Sequence, residues 1–87
     1  MKRMECIEVC WRVRSRSRRR VLECGIYHTG AAIEVRCGYG GDDLLMSEVV
    51  PAVSIGRELA VEWRRIVTAR GGFDELPGEG LSRDGDA

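Results

Sequence analysis

Alternation of apolar and polar residues in three successive segments constrains the fold of this chain more than any other feature. The segments span residues 4–14, 19–27 and 32–39, and short polar breaks at 15–18 and 28–31 separate them. A period of two is typical of β-strands that bury one face, so the sequence predicts a three-stranded antiparallel meander. The predicted buried faces consist of Ile7, Val9, Trp11, Val13, Leu22, Cys24, Ile26, Ile33, Val35, Cys37 and Tyr39.

The same alternation predicts how the strands pair, because a slip by one residue would move every apolar side chain to the opposite face. Hairpin loops at 15–18 and 29–30 bring apolar residues together in every buried row. In this register Glu23 lies opposite Arg36, a favourable cross-strand pair. The predicted buried rows are Trp11–Leu22–Cys37, Val9–Cys24–Val35 and Ile7–Ile26–Ile33.

The second half of the chain predicts a helix after a loop at 38–43 and an ambiguous segment at 44–50 that could form a fourth strand. Ser54 is a suitable N-cap, Gly71 is placed to end the helix with positive φ, and Phe73 could fold back onto the last turn. One apolar helical stripe predicts the buried face. It consists of Ile55, Leu59, Ala60, Trp63, Ile66 and Val67.

These elements define an α+β fold, in which a three- or four-stranded antiparallel β-meander packs on one C-terminal α-helix. Trp11 and Trp63 are the largest side chains of the two apolar faces, and we expect them to anchor the contact. Residues 1–76 are predicted to form a single domain. Residues 77–87, rich in Gly and acidic residues, are predicted to be a disordered tail.

Composition narrows the classes of function. Charged residues make up 32% of the chain, and none of its apolar runs approaches the ~20 residues that span a bilayer. The charged start is not followed by an apolar segment, so we expect a cytoplasmic protein whose four cysteines are reduced. Residues 1–40 carry nine Lys or Arg and four Asp or Glu, whereas residues 41–87 carry five and ten. This charge asymmetry favours self-association or an acidic partner at one end.

Two spacings, Cys6-x3-Cys10 and Cys24-x3-His28, resemble pairs of zinc ligands. Residues four apart in a strand are about 13 Å apart, which is too far for side chains that must all reach one metal at about 2.3 Å. The predicted faces also point Cys6 and Cys10 away from Cys24 and Cys37. We therefore interpret Cys24 and Cys37 as small buried apolar residues, although their diagonal placement would also suit a disulfide.

Other catalytic arrangements are weaker still. Cys6 lies near His28 in the predicted register, but the two side chains belong to opposite faces. Glu8 and Glu34 flank Gly25 on the open face and could hold a cation or exchange protons, yet a solvated sheet surface is the simpler interpretation. We predict no catalytic residues, no metal and no cofactor, and do not expect an enzyme.

Two surfaces remain as candidate binding sites. One is the arginine-rich tip of the first hairpin, residues 12–20, because arginine is well suited to phosphate. The other is the open sheet face. The candidate residues are Arg14, Arg16, Arg18, Arg19 and Arg20 at the tip, and Glu8, Glu23, Tyr27, Glu34 and Arg36 on the open face.

A meander followed by one helix resembles, in the order of its elements, the plant AP2 domain and the arm-binding domain of phage-type integrases. That resemblance implies DNA recognition in the major groove by the open sheet face. Here the predicted face carries Glu8, Glu23 and Glu34, which would repel phosphates. Only the arginine tip is then left for phosphate contact.

Several segments also resemble short bacterial proteins of unassigned function from GC-rich genomes. The resemblance covers about residues 5–77 and implies a cytoplasmic bacterial protein, but no activity, cofactor or site residue. The similar segments are 23–27, 33–39, 42–45, 57–64 and 71–76.

From these observations we expect a small non-enzymatic protein-interaction module, with homodimerisation through an edge strand or the open face as a natural form. The alternative is a nucleic-acid-binding protein that contacts phosphates through residues 12–20. No membrane association is expected.

Overall fold

The computed structural model describes residues 4–40 and 43–76, which form an antiparallel sheet and one helix. The α+β class and the antiparallel meander are confirmed, but the sheet has five strands where three or four were predicted. The predicted tail, residues 77–87, lies outside the described residues. In chain order the elements are β1 (Glu5–Ser15), β2 (Arg20–His28), β3 (Ile33–Gly38), β4 (Leu44–Val50), α1 (Val53–Arg70) and β5 (Phe73–Glu75).

The strands are arranged in the order β4-β3-β2-β1-β5, and neighbouring strands are antiparallel. Helix α1 follows β4 at one edge and leads to β5 at the other, so it crosses one face of the sheet, which we call the inner face. A helix about 10 Å across covers two to three strands spaced about 4.8 Å apart. The core therefore lies under the helix and consists of Trp11, Val13, Leu22, Cys24, Ile26, Val35, Cys37, Val50, Ala60, Trp63 and Val67.

The predicted faces of β2 and β3 are correct, but their register is shifted by two residues. Cys24 lies opposite Cys37 instead of Val35, because the turn takes up residues 29–32, closed by a 2.9 Å hydrogen bond from the Thr29 amide to the Ala32 carbonyl. A shift by an even number keeps every side chain on its face. Cys24 and Cys37 are therefore directly opposed and fully buried, not diagonal.

Strand β1 departs from the prediction more strongly, since it contains two β-bulges, between Cys6 and Glu8 and between Val9 and Trp11. Each bulge inserts one residue and reverses the facing of the residues that follow it. Glu8 consequently pairs with Ile26 on the inner face. The predicted burial of Ile7 is wrong, as its side chain is 43% exposed.

The register near the hairpin tip is also shifted. Ser15 pairs with Arg20, and the loop consists of residues 16–19 instead of 15–18. Arg19 has a φ of 56°, the only positive φ of a residue other than glycine within the described part of the chain. The loop is closed by a 2.8 Å hydrogen bond from the Arg19 amide to the Ser15 carbonyl.

Helix α1 begins at Val53, one residue before the predicted Ser54 cap. The N-cap residue is Ala52, which has no side chain that could cap the helix. The predicted C-terminal glycine is correct in position: Gly71 follows the helix with a φ of 80°.

The helix is rotated relative to the predicted apolar stripe. Its buried residues are Gly56, Ala60, Trp63 and Val67, while Ile55 and Ile66 are each 41% exposed. The rotation follows from close packing at Gly56, where an added Cβ would lie 3.1 Å from Val35 Cγ2. A residue without a side chain lets the helix approach the sheet.

The two tryptophans do anchor the contact between helix and sheet. Trp11 on β1 donates a buried hydrogen bond of 2.8 Å from Nε1 to the Ala60 carbonyl of α1. Trp63 is buried on the helix side of the same core. The hydrogen bond from Trp11 therefore holds β1 against the helix at Ala60.

Strand β5 was not predicted. Phe73 pairs with Ser15 of β1, is half-buried against the core and lines a common cleft with Val67 and Arg70 at the end of the helix. A hydrogen bond of 2.9 Å from the Arg16 amide to the Gly72 carbonyl extends this contact. Three residues are too few to show a period in sequence, so the strand could be recognised only from its partner.

Candidate functional site

The outer face of the sheet, opposite the helix, holds a groove of about 230 Å³. We call it the outer-face groove. It includes three of the five candidates predicted for the open face, Glu23, Tyr27 and Arg36. Two exposed apolar side chains, Met4 and Leu44, complete its walls together with Gly38, Gly40 and Asp43.

Tyr27 lies over Gly25, which has no side chain to compete for the space. A Cβ added at Gly25 would stand 3.1 Å from both Cε1 and the hydroxyl oxygen of Tyr27. Burial raises the pKa of Tyr27, and the neighbouring Cys6 thiol and Glu23 carboxylate raise it further. The phenol therefore stays protonated at neutral pH and offers the groove a hydrogen-bond donor.

The remaining charges of this face are paired with one another. Glu23 accepts a hydrogen bond of 2.8 Å from Arg12 Nε, and Arg36 lies 3.3 Å from Glu34. The predicted opposition of Glu23 and Arg36 is wrong, because the shifted register puts Gly38 opposite Glu23. Surface ion pairs of this kind contribute about 0–1 kcal/mol each, so their main effect here is to neutralise the face.

Glu8 does not belong to the open face. The bulges of β1 turn it to the inner face, where it pairs with Arg57 of the helix at 2.9 Å. The Glu8 hydrogen bond and charge raise the pKa of Arg57. The suggested pairing of Glu8 and Glu34 across Gly25 is therefore wrong, since the two carboxylates lie on opposite faces.

The arginine tip is largely occupied by contacts within the chain. Arg16 binds Asp74 of β5 at 2.7 Å, and Arg20 binds Asp43 at 2.8 Å. The guanidinium carbons of Arg18 and Arg20 lie 5.1 and 5.2 Å from the centre of the Tyr39 ring, within the range of cation–π attraction.

The two other tip candidates differ in position. Arg14 is exposed on β1 opposite Asp74, and its charge contributes, after the Arg16 hydrogen bond, to lowering the pKa of that carboxyl group. Arg19 stands at the turn of the loop and has neither an ion pair nor a ring contact within residues 4–40 and 43–76. Sequence reasoning missed the neutralising residues Asp74 and Asp43, because they come from β5 and from the loop before β4.

The cysteines do not gather into one site. Across residues 4–40 and 43–76, no group of three or more His, Cys, Asp or Glu side chains is placed to hold a metal ion. Cys6 pairs with Tyr27 on the outer face, whereas His28 pairs with Ile33 and Glu5 on the inner face, so thiol and imidazole point apart. Burial and the nearby Glu8 charge raise the pKa of the Cys10 thiol to about 11.

Cys24 and Cys37 are directly opposed and fully buried, and the neighbouring Cys37 thiol together with burial raises the pKa of Cys24 well above the ordinary thiol value. A protonated thiol is a poor nucleophile. Both side chains are fully buried, so we interpret the pair as part of the apolar core.

Comparison with known proteins assigns no relationship: no family model matches the chain, and no curated protein or solved structure is significantly similar to it. Within the described residues, no helix is both long and apolar enough to cross a bilayer.

Proposed function

We propose that this protein is a small non-enzymatic interaction module that associates with a second copy of itself through the outer face of its sheet. The observation that carries the proposal is a sheet face that none of the described residues covers, whose charges are paired and whose apolar side chains are exposed. Met4 is 46%, Leu44 41% and Val49 62% exposed. Paired charges and exposed apolar groups favour contact with another protein surface over contact with phosphates.

The edges of the sheet support the same proposal. Residues 5–12 of β1 lie beyond the reach of β5, but the two bulges interrupt the regular spacing of their free backbone groups. Strand β4 is the opposite edge and runs for seven residues, with Val49 on the outer face. Bulges are a common protection against pairing of edges, so we place the contact on the outer face of the sheet, which includes Val49 of β4.

Light scattering coupled to size-exclusion chromatography tests this proposal over a range of protein concentrations. Val49→Lys puts a charge into the proposed contact and is expected to shift the mass toward the monomer. Val61→Lys is the matched control, because Val61 is 64% exposed on the solvent side of the helix. A native chain that remains strictly monomeric at high micromolar concentration would refute the proposal, as would equal behaviour of the two variants.

Nucleic-acid binding through the arginine tip is the second candidate. The observation in its favour is Arg19, whose side chain has neither an ion pair nor a ring contact within the described residues. The ion pairs of Arg16 and Arg20 weigh against it. It predicts salt-dependent binding of DNA or RNA that weakens when Arg16, Arg18 and Arg19 are replaced by alanine. Fluorescence anisotropy without any binding at low salt would remove it.

A cytoplasmic location is part of the proposal and rests on the sequence alone. It can be checked by fractionation of the cells that produce the protein.

A further inference from the structure

A second concavity lies on the inner side of the sheet, beside the end of the helix. It is a cleft of about 380 Å³. Leu45 and Met46 of β4 form one wall, and Ile66 and Val67 of α1 form another; Phe73 of β5 also lines it. We call it the helix-end cleft.

The course of the helix explains why this cleft exists. Helix α1 starts beside β4 and ends beside β5, so it moves away from β4 as it crosses the sheet. The start of β4 lies at the same end of the sheet as the end of the helix, and the helix leaves it uncovered. The apolar side chains there are consequently open to solvent: Leu45 is 53% and Ile66 41% exposed.

One cation lies at this apolar cleft. Arg70, in the last turn of α1, lines the cleft and has no ion-pair partner within residues 4–40 and 43–76. Most other arginines of the described chain are engaged; on the helix itself, Arg64 binds Glu75 and Arg65 binds Glu62. An unpaired guanidinium beside an apolar cleft is complementary to a ligand with an apolar body and an anionic end.

Tyr39 also lines the cleft and adds to this complementarity. The centre of its ring lies 5.1 and 5.2 Å from the guanidinium carbons of Arg18 and Arg20. Asp43 neutralises Arg20. Arg18 therefore leaves a second positive charge close to the cleft.

We propose that the helix-end cleft binds a small amphipathic carboxylate, whose apolar body packs against Leu45, Met46 and Ile66 and whose carboxylate pairs with Arg70. Binding sites for small molecules commonly measure about 300–1,000 Å³ and combine apolar walls with a few polar groups. At about 30 Å³ for each group the size of a water molecule, the cleft accommodates a ligand of roughly 12 non-hydrogen atoms. Arginine binds a carboxylate through two parallel hydrogen bonds, which fixes the orientation of the ligand.

Methyl NMR titration of the full chain with decanoate tests the proposal, with decanol as the neutral probe of the same length. Saturable shifts are expected at the methyl groups of Leu45, Met46 and Ile66, and decanoate should bind several-fold more tightly than decanol. Arg70→Gln is expected to weaken decanoate binding by about tenfold, since a hydrogen bond to a charged group contributes about 1.5 kcal/mol, and to leave decanol unaffected.

Arg65→Gln is the matched control, because Arg65 lies on the same helix but pairs with Glu62 and does not line the cleft. It should bind decanoate as the native chain does. The proposal is overturned if these methyl groups do not shift saturably, if decanoate and decanol bind equally, or if Arg65→Gln weakens binding as much as Arg70→Gln. The cleft lies on the face opposite the outer-face groove, so this result is independent of whether the chain self-associates.

Discussion

Replacing Trp11 by phenylalanine is the sharpest test of how the helix is held on the sheet. Trp11 is 5% exposed and donates a hydrogen bond of 2.8 Å from Nε1 to the Ala60 carbonyl, across 49 positions of sequence. Phenylalanine keeps a six-membered ring on β1 but removes the donor and part of the buried ring surface. The Ala60 carbonyl lies within α1 and still accepts a hydrogen bond from the helix backbone, so the substitution does not leave it without a partner.

The expected decrease in the free energy of unfolding has two components. The missing part of the ring corresponds to about two buried carbon groups, or about 1.6 kcal/mol at ~0.8 kcal/mol for each group. The hydrogen bond adds about 1 kcal/mol, the usual net value for a neutral pair. Trp11→Phe should therefore lower the free energy of unfolding by about 2.5 kcal/mol, a large share of the stability of a domain this small.

Trp63→Phe separates the two components. Trp63 is 8% exposed and makes no side-chain hydrogen bond within the described residues, so its replacement removes ring surface alone. We expect Trp63→Phe to cost about 1.6 kcal/mol, about 1 kcal/mol less than Trp11→Phe. Urea unfolding followed by far-UV circular dichroism measures both, and the difference corresponds to about 4–8 °C in Tm. Equal losses in the two variants would refute the role assigned to the bond.

Three further predictions concern other parts of the molecule. Iodoacetamide at pH 8 should modify Cys6, which is exposed, much faster than Cys10, whose pKa of about 11 leaves roughly one thiol in a thousand ionised; equal rates by mass spectrometry would contradict this pKa. Gly56→Leu should lower Tm clearly although leucine favours helices, because even a Cβ would meet sheet methyl groups at 3.1 and 3.3 Å; a rise in Tm would show that the helix can move outward at no cost. The Arg16 hydrogen bond lowers the pKa of Asp74, so this ion pair stabilises the fold at neutral pH and stops doing so as the carboxyl group is protonated. The Tm difference between the native chain and Asp74→Asn should therefore disappear near pH 2. A difference that persists at that pH would show that the effect has another origin.

Sequence alone determined which residues of β2 and β3 are buried. The period of two determines which face of the sheet each side chain occupies, whatever the register. The side chains therefore kept their predicted faces although the register shifted by two residues and brought Cys24 opposite Cys37. The approximate extent of the helix was also evident, since its apolar residues recur with a helical period. These properties are local, and local patterns record them directly.

The bulges of β1 were decided by tertiary structure. Ile7, Glu8 and Val9 alternate in sequence as a regular strand would, yet Glu8 faces the helix, where Arg57 compensates its charge. The inserted residues leave no mark in the pattern, because a bulge depends on what the partner strand and the helix present. This reversal changed the candidate site, since it removed one carboxylate from the open face.

The neutralisation of the arginine tip was likewise beyond the sequence. Arg16 and Asp74 are 58 positions apart and meet only because β5, a strand of three residues, pairs with the end of β1. The sequence showed an excess of positive charge in the first half and of negative charge in the second. It did not show which arginine would pair with which carboxylate. Alternation determined the faces of the central strands; only the fold decided which charges those faces keep exposed, because electrostatic pairing depends on distance in space and not on distance along the chain.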